Sequence, residues 1–152
     1  RGSTFRLYLP KVEDEEDERE SERFIKDLPT GQETVLVVED DPLVQSIALK
    51  TLERQGYHLL HASSGDEALG FLNTHRGQID LLMTDVIMPG INGKKLADQM
   101  KDELPEMKVL FTSGYTDDYL GETGILEEGI NFLSKPYSPH DLARKLRTVL
   151  DD

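Results

Sequence analysis

The stretch Leu81-Leu82-Met83-Thr84-Asp85-Val86-Ile87-Met88-Pro89-Gly90 decides the fold of this chain. It opens as an apolar run too short for an independent helix, which is typical of a strand buried on both faces. The run ends at a bare carboxylate, Asp85, and Pro89-Gly90 forces a turn soon after. A buried carboxylate is costly unless a charge compensates it, so we expect Asp85 at the rim of a sheet, facing a cation or a reacting group. Taken alone, the stretch is equally compatible with an ordinary loop aspartate or a helix cap.

The composition describes an acidic chain with enough apolar residues for one core. The 152 residues carry a net charge of -13 and include no cysteine. The lack of cysteine excludes disulfides, thiol catalysis and zinc-thiolate sites. The negative charge argues against nucleic acid as a direct partner, because phosphate binding requires Lys and Arg in excess. No apolar run approaches membrane-spanning length, so we expect no direct membrane contact.

Two segments precede the predicted domain. Residues 1–10 alternate apolar and polar side chains up to Pro10, which is the pattern of a single strand. One strand without a partner cannot be a domain, so we interpret it as the last strand of a truncated preceding domain. Residues 11–33 are predicted to be an acidic linker, because 13–22 carry eight acids and one base. We expect deletion of residues 1–33 to leave thermal stability nearly unchanged.

From residue 34 to residue 152 the chain alternates five predicted strands with five predicted helices. The strands are expected at 35–38, 57–62, 78–84, 108–112 and 130–133, and the weakest helix at 117–129. Asp41 with Pro42 is a helix start, and Ser64 with Glu67 is a capping box. The first helix carries an apolar stripe of Val44, Ile47, Ala48 and Leu52. This alternation predicts an α/β doubly wound parallel sheet, with a ligand site outside the carboxyl ends of the strands.

Four predicted strand ends carry chemically distinctive groups. They are Glu39-Asp40, Asp85, Thr112-Ser113-Gly114 and Ser134-Lys135-Pro136. Three carboxylates in one cleft cannot all stay ionised without a cation, and oxygen ligands of this kind suit Mg²⁺. Lys135 and Ser113 would then supply a positive charge and a hydroxyl group toward phosphoryl oxygens. Singly, each residue is unremarkable: Lys135 is typical of a surface lysine and Ser113 of a turn.

These motifs together resemble the receiver domain of two-component signalling systems. The matching pieces are Val-Leu-Val-Val-Glu-Asp-Asp at 35–41, Asp-Val-Ile-Met-Pro-Gly at 85–90, Phe-Thr-Ser-Gly-Tyr at 111–115 and Ser-Lys-Pro-Tyr at 134–137. The resemblance covers residues 34–152 in order and spacing. It implies the flavodoxin-like (βα)5 receiver fold, with five parallel strands in the order 2-1-3-4-5.

The resemblance also implies a role for each matching residue. Asp85 is the phosphate acceptor, and Asp40 and Asp85 bind Mg²⁺ together with the backbone carbonyl of Ile87. Glu39 matches an acidic position that often acts through a metal-bound water, although many relatives have Asp there. Lys135 matches the lysine of the family, with its bond to Pro136 expected cis.

Two further positions are implied to report the phosphorylated state. Ser113 matches the Ser/Thr switch residue, with Thr112 as the alternative if that register is wrong. Phe132 matches the aromatic switch position but lacks a tyrosine hydroxyl, and taken alone it reads as a core residue. Ile87 and Tyr115 match the side chains that flank the path of a hydrolytic water. Because neither can orient that water, we expect a long-lived phosphoaspartate.

The first ten residues resemble the end of histidine-kinase ATP-binding domains, through Gly2-Ser3-Thr4-Phe5 and Leu7-Tyr8-Leu9-Pro10. The alternative is a tag or vector remnant. The resemblance implies a hybrid sensor histidine kinase, a transferase, of which this chain is the C-terminal receiver with no output domain after residue 152. The implied partners are a histidine-kinase phosphodonor domain and a histidine phosphotransfer protein or domain. The implied location is cytoplasmic, whether or not the parent kinase is membrane-anchored.

The sequence therefore favours a phosphoacceptor receiver that uses Mg²⁺ and assists its own phosphotransfer. A magnesium-dependent phosphoesterase is one alternative, but it would need a second acid two residues after Asp85, where Ile87 stands. A flavin or nucleotide binder would need a glycine-rich loop after the first strand. A non-phosphorylated docking receiver is the third alternative, and the intact acidic set argues against it. The four histidines, His58, His61, His75 and His140, have no metal-ligand spacing.

Overall fold

The computed structural model describes residues 28–75, 77–114 and 129–152. Its five strands are all parallel and form one sheet: β1 Thr34–Val38, β2 His58–Ala62, β3 Leu81–Asp85, β4 Lys108–Ser113 and β5 Phe132–Ser134. The strand order is β2-β1-β3-β4-β5. Both the α/β class and the 2-1-3-4-5 order expected from the sequence are confirmed. The predicted strand at residues 1–10 lies outside the described residues, as does nearly all of the predicted helix at 117–129.

Four helices connect and cover the described strands: α1 Pro42–Arg54, α2 Gly65–Thr74, α3 Gly93–Glu103 and α4 Pro139–Asp151. Local capping chemistry explains where they begin. The Asp41 side chain accepts hydrogen bonds from the N–H groups of Leu43 and Val44, and Pro42 occupies the first turn. Ser138 and Asp141 form a reciprocal capping box at the start of α4.

The core has two layers, one on each face of the sheet. On one face α2 and α3 pack on alternate strand residues, with Leu36, Leu82, Leu96 and Met100 fully buried. On the other face α1 and α4 pack on the intervening residues, with Val35, Leu81, Leu52 and Leu146 fully buried. A central strand buried on both faces explains why Leu81–Met83 is a continuous apolar run rather than an alternating one.

Three local predictions differ from the structure. Ile47, expected on the buried stripe of α1, is 45% exposed. Thr51 is buried instead, with its hydroxyl satisfied by donation to the Ile47 carbonyl within the helix. The Ser64–Glu67 capping box is half formed, since the Glu67 carboxylate accepts from the N–H and hydroxyl of Ser63 instead. Two strands begin more than one residue later than expected, β3 by three residues, at Leu81, and β5 by two residues, at Phe132.

The end of the predicted linker contacts the folded domain. Leu28 is only 6% exposed, and the N–H of Gly31 donates to the Gln55 carbonyl at 3.0 Å. Gly31 lies so close to the Tyr57 ring that a side chain there would have no space. The Glu33 carboxylate pairs with the Arg147 guanidinium on α4 at 2.8 Å. Residues 28–33 therefore pack against the sheet and helices, and deleting them is no longer expected to be neutral.

Candidate functional site

The carboxyl edge of the sheet brings together residues that are far apart in the sequence. Glu39 and Asp40 follow β1, Asp85 is the last residue of β3, and Lys135 follows β5. Parallel strands all end at the same edge, and the topology therefore places these side chains in one cleft. One carboxylate oxygen from each of Glu39, Asp40 and Asp85 lies within 4.8 Å of the other two.

Lys135 joins two of these acids. Its Nζ atom lies 2.6 Å from Oε2 of Glu39 and 2.7 Å from Oδ2 of Asp85. Burial raises the pKa of Glu39 above its ordinary value, although the hydrogen bond from Lys135 opposes that shift. Burial would lower the pKa of Lys135, but the hydrogen bonds that its ammonium group donates to Asp85 and Glu39 outweigh burial and raise that pKa. The lysine therefore remains a fixed cation between two carboxylates.

The main chain around Asp85 is held on both sides. Its Oδ1 atom accepts a hydrogen bond from the Ile87 N–H at 3.2 Å, and the next residue, Val86, donates to the Thr112 carbonyl of β4 at 2.9 Å. On the α3 side, Gly93 lies against the Asp85 carbonyl so closely that a Cβ atom would collide with it. Gly93 is thus the residue that lets α3 begin directly on the backbone of the acidic residue.

Asp40 differs from the other two acids. It is exposed, and no hydrogen bond or ion pair joins its side chain to another residue in the part of the chain that the structure describes. Its neighbours are fixed instead: the Glu39 carboxylate accepts from the Asp41 N–H at 3.2 Å, and the Gln45 side chain donates to the Glu39 carbonyl. Asp40 therefore presents an unpaired carboxylate from a restrained loop.

The residues at the ends of β4 and β5 adjoin this cleft. Thr112 and Ser113 are both buried, and the Ser113 carbonyl accepts from the Lys135 N–H at 2.8 Å. By strand alternation Ser113 shares a face with Phe111 and Phe132, which contact the α2–α3 layer of the core. Phe132 is half-buried, and the Lys135–Pro136 peptide bond is cis, as expected.

The donor set fits a hard divalent cation. Three carboxylates converge, two of them buried, and Lys135, the one cation paired with them among the described residues, contacts one oxygen of Glu39 and one of Asp85. Oxygen-rich sites with a few carboxylates and room for water are the kind that Mg²⁺ occupies. None of the four histidines belongs to this cluster: His58, His61 and His140 are exposed and His75 is half-buried.

Comparison with known proteins identifies the family. Residues 35–147 match the response regulator receiver domain. The chain belongs to that family. This receiver is also 30% identical to the sensor kinase CckA of Brucella abortus, over 99% of the chain and 17% of that kinase. It is 30% identical to the response regulator receiver protein CpdR of the same organism, over 76% of the chain and 95% of CpdR.

Solved receiver structures agree with this assignment. The receiver domain of the hybrid histidine kinase CckA is 38% identical, with a TM-score of 0.66, over 77% of this chain and 98% of that one. The chemotaxis response regulator CheY4 of Vibrio cholerae is 26% identical, with a TM-score of 0.67, over 78% and 99% of the two chains. This chain is thus a receiver domain of two-component systems with the flavodoxin-like fold. Among the described residues, no helix has the length and apolar character needed to cross a bilayer.

Two residues of the site were not singled out from the sequence. Gly93 could have been found from its position at the start of the helix after the Asp85 turn, where a glycine is otherwise a poor helix former. Gln45 had no such signal, because its two acceptors lie at the ends of different strands, Glu39 just after β1 and Ala62 at the end of β2.

Proposed function

We propose that this receiver accepts a phosphoryl group on Asp85 from a phosphohistidine, with Mg²⁺ held by Asp40, Asp85 and the backbone carbonyl of Ile87. Glu39 acts on the metal directly or through a bound water. The observation that carries the proposal is the convergence of three carboxylates and Lys135 at the carboxyl edge of the sheet. The bound metal would neutralise the charge on the phosphoryl oxygens during transfer.

The proposed phosphoryl transfer needs no reactant other than the phosphohistidine and Asp85. A carboxylate oxygen of Asp85 forms an O–P bond while the P–N bond of the donor phosphohistidine breaks, and its electron pair returns to the imidazole ring. Lys135 lies within 2.7 Å of Asp85, so its ammonium group is placed to contact the incoming phosphoryl oxygens. No side chain of the receiver needs to gain or lose a proton during this step.

We propose that Ser113 and Phe132 carry the change of state away from Asp85. Ser113 lies at the end of β4, next to the strand that bears Phe132, and strand alternation places both on one face. The hydroxyl of Ser113 would follow the phosphoryl oxygens, and the half-buried Phe132 ring would repack in response. Thr112 is paired in register with Asp85 and Leu133 and lies on the opposite face by the same alternation, so Ser113 rather than Thr112 shares a face with Phe132.

The decisive experiment is chemical phosphorylation of the chain. After treatment with acetyl phosphate and Mg²⁺, mass spectrometry should show one added phosphoryl group, mapped to Asp85. Asp85→Asn should remain folded and unlabelled, because an amide is nearly isosteric but not nucleophilic. Asp98→Asn, an exposed aspartate on α3, is the matched control and should label normally. Stoichiometric labelling of the Asp85 variant would overturn the assignment.

We further propose that a helical phosphodonor or phosphotransfer protein docks on α1. Leu43 and Ile47 are 71% and 45% exposed, one helical turn apart, and they are the exposed large hydrophobic residues among those described. They lie on the first two turns of α1, the helix that Asp41 caps, so a partner covering them would bring its histidine next to the acidic cleft. Leu43→Glu should slow phosphotransfer from a phosphorylated histidine phosphotransfer protein and leave labelling by acetyl phosphate unchanged.

A hybrid kinase is the proposed source of the receiver. The match to the sensor kinase CckA extends over 99% of the chain and so includes segments on both sides of residue 33, while the chain spans 17% of that kinase. This supports residues 1–10 as kinase sequence and 11–33 as the linker to a receiver at 34–152. A tag remnant would not be expected to share in such a match.

A further inference from the structure

The side chain of Gln45 bridges the ends of two strands. Its Nε2 atom donates to the carbonyl of Ala62, the last residue of β2, at 2.8 Å, and to the carbonyl of Glu39, just after β1, at 3.2 Å. An amide NH₂ has two hydrogens, so it can satisfy both acceptors at once. We propose that Gln45 is a positioning residue that holds the Glu39–Asp41 loop in its metal-binding shape. This proposal rests on the proposed function of the acidic cleft.

Hydrogen bonds hold the Glu39–Asp41 loop on both sides of Asp40. On the strand side, the Glu39 N–H donates to Ala62 at 3.2 Å, the same carbonyl that accepts from Gln45. On the helix side, Asp41 caps α1, and its carbonyl accepts from the Gln45 N–H at 2.9 Å. Gln45 therefore donates hydrogen bonds to both sides of the loop: its side chain to Ala62 at the end of β2, and its backbone N–H to the helix-capping residue Asp41.

The free residue between these hydrogen bonds is Asp40, whose carboxylate contacts no other described side chain. Its direction depends on the peptide plane between Glu39 and Asp40, and the Glu39 carbonyl is part of that plane. The hydrogen bond from Gln45 restrains that plane before any cation arrives. Without this hydrogen bond, Mg²⁺ binding would have to order the Glu39–Asp41 loop, and the entropy lost in doing so would weaken the affinity for the metal.

The expected effect is on metal affinity more than on stability. Groups that orient metal ligands typically change affinity by about 10- to 100-fold when removed. We expect Gln45→Met, which keeps the length of the side chain but donates no hydrogen bond, to weaken Mg²⁺ binding by about tenfold. Phosphorylation by acetyl phosphate should recover at saturating Mg²⁺, because Gln45 does not contact the reacting atoms.

The experiment measures Mg²⁺ dissociation constants by calorimetry for the parent chain, Gln45→Met and Thr51→Val. Thr51→Val removes a hydrogen bond within the same helix, from the Thr51 hydroxyl to Ile47, far from the cleft. It should lower the melting temperature without changing Mg²⁺ affinity. In metal-free buffer, amide hydrogen exchange of Glu39 should be faster in Gln45→Met than in Thr51→Val. If Gln45→Met fails to fold, Gln45→Asn, whose shorter amide falls short of both carbonyls, replaces it.

The possible results distinguish the positioning role of Gln45 from the proposed Mg²⁺ site itself. A Gln45 variant whose Mg²⁺ affinity and Glu39 exchange equal those of the parent would overturn the positioning role alone. Equal losses of affinity in the Gln45 and Thr51 variants would overturn it too, because they would show a general effect of stability. A parent chain that binds no Mg²⁺ at all would overturn the metal site, and this proposal with it.

Discussion

The Nζ atom of Lys135 lies 2.7 Å from Oδ2 of Asp85, although fifty positions separate the two residues in the sequence. The same atom lies 2.6 Å from Oε2 of Glu39. One ammonium group therefore compensates two carboxylates in a cleft where all three side chains are largely withdrawn from water. This arrangement means that Lys135 should matter for stability as well as for phosphotransfer.

Lys135→Ala should destabilise the metal-free domain by about 3 kcal/mol, since it leaves two partly buried carboxylates without their cation. Added Mg²⁺ should restore more stability to this variant than to the parent, because a competing positive charge has gone. Phosphotransfer should nevertheless stay impaired at saturating Mg²⁺. Thermal melts with and without Mg²⁺, together with acetyl phosphate labelling, measure these effects. Equal losses of metal binding and phosphotransfer would contradict the separate roles proposed for the lysine and the acids.

Gly93→Ala should destabilise the domain by about 2 kcal/mol and reduce labelling of Asp85, since the added methyl group collides with the Asp85 carbonyl. Gly70→Ala is the matched control, because Gly70 is exposed on α2 and has nothing near its missing Cβ. That change should stabilise the domain by about 0.5–1 kcal/mol. Urea unfolding of the two variants measures these changes in the free energy of unfolding. Similar changes in both variants would show that α3 does not press on the backbone of β3.

Deletion of residues 1–33 should lower the melting temperature by roughly 5–10 °C relative to deletion of residues 1–27. The longer deletion removes the buried Leu28 side chain, worth about 1.5–3 kcal/mol, and the Glu33–Arg147 ion pair. Calorimetric melts of the two truncated chains give the difference. Coincident melting temperatures would show that residues 28–33 add nothing to the folded domain.

The stabilising effect of Glu33 should depend on pH. The hydrogen bond from Arg147 lowers the pKa of Glu33 below its ordinary 4.5, so the folded state favours the carboxylate. This contribution is present above the unfolded pKa and is lost as pH falls through the lower, folded pKa. Glu33→Gln should therefore cost about 0.5 kcal/mol at pH 7 and progressively less as the pH falls below 4.5. Urea titrations across this pH range check this, and a cost that does not change with pH would exclude the charge as its source.

Ile87→Asn should shorten the life of the phosphorylated state several-fold, because an amide beside Asp85 can orient a hydrolytic water and isoleucine cannot. Ile87 is half-buried against the α2–α3 core layer, while Tyr115, the other residue predicted to flank the water path, lies outside the described residues. Ile91→Asn, a half-buried residue of the same loop, is the control. Decay of phosphorylated protein in magnesium buffer gives the rates, and equal rates in parent and Ile87→Asn would dismiss this role.

Features that depend on neighbouring residues could be predicted from the sequence. The caps at Asp41 and Ser138 were predictable because each side chain bonds to an N–H two or three positions away. The convergence of Asp40, Asp85 and Lys135 was predictable because a parallel sheet collects strand ends at one edge.

Features that depend on three-dimensional neighbours could not be predicted. The contacts of Gln45 with Ala62 and of Glu33 with Arg147 span 17 and 114 positions, and nothing in the local pattern marks them. Ile47 was misplaced because the stripe of α1 is broad, and only its packing against α4 selects which residues are covered. Glu67 accepts from Ser63 rather than Ser64 because two adjacent serines offer competing donors.

The position of Asp85 on the central strand has a consequence for how a signal leaves the site. β3 has a neighbouring strand on each side, and Gly93 at the start of α3 lies against the Asp85 carbonyl. The backbone at Asp85 is therefore restrained from three directions. By contrast β5, which bears Phe132 and is followed by Lys135, is an edge strand with a neighbour on one side only. Under the switch proposed for Ser113 and Phe132, phosphorylation of Asp85 would change the surface of the domain at the β4–β5 edge.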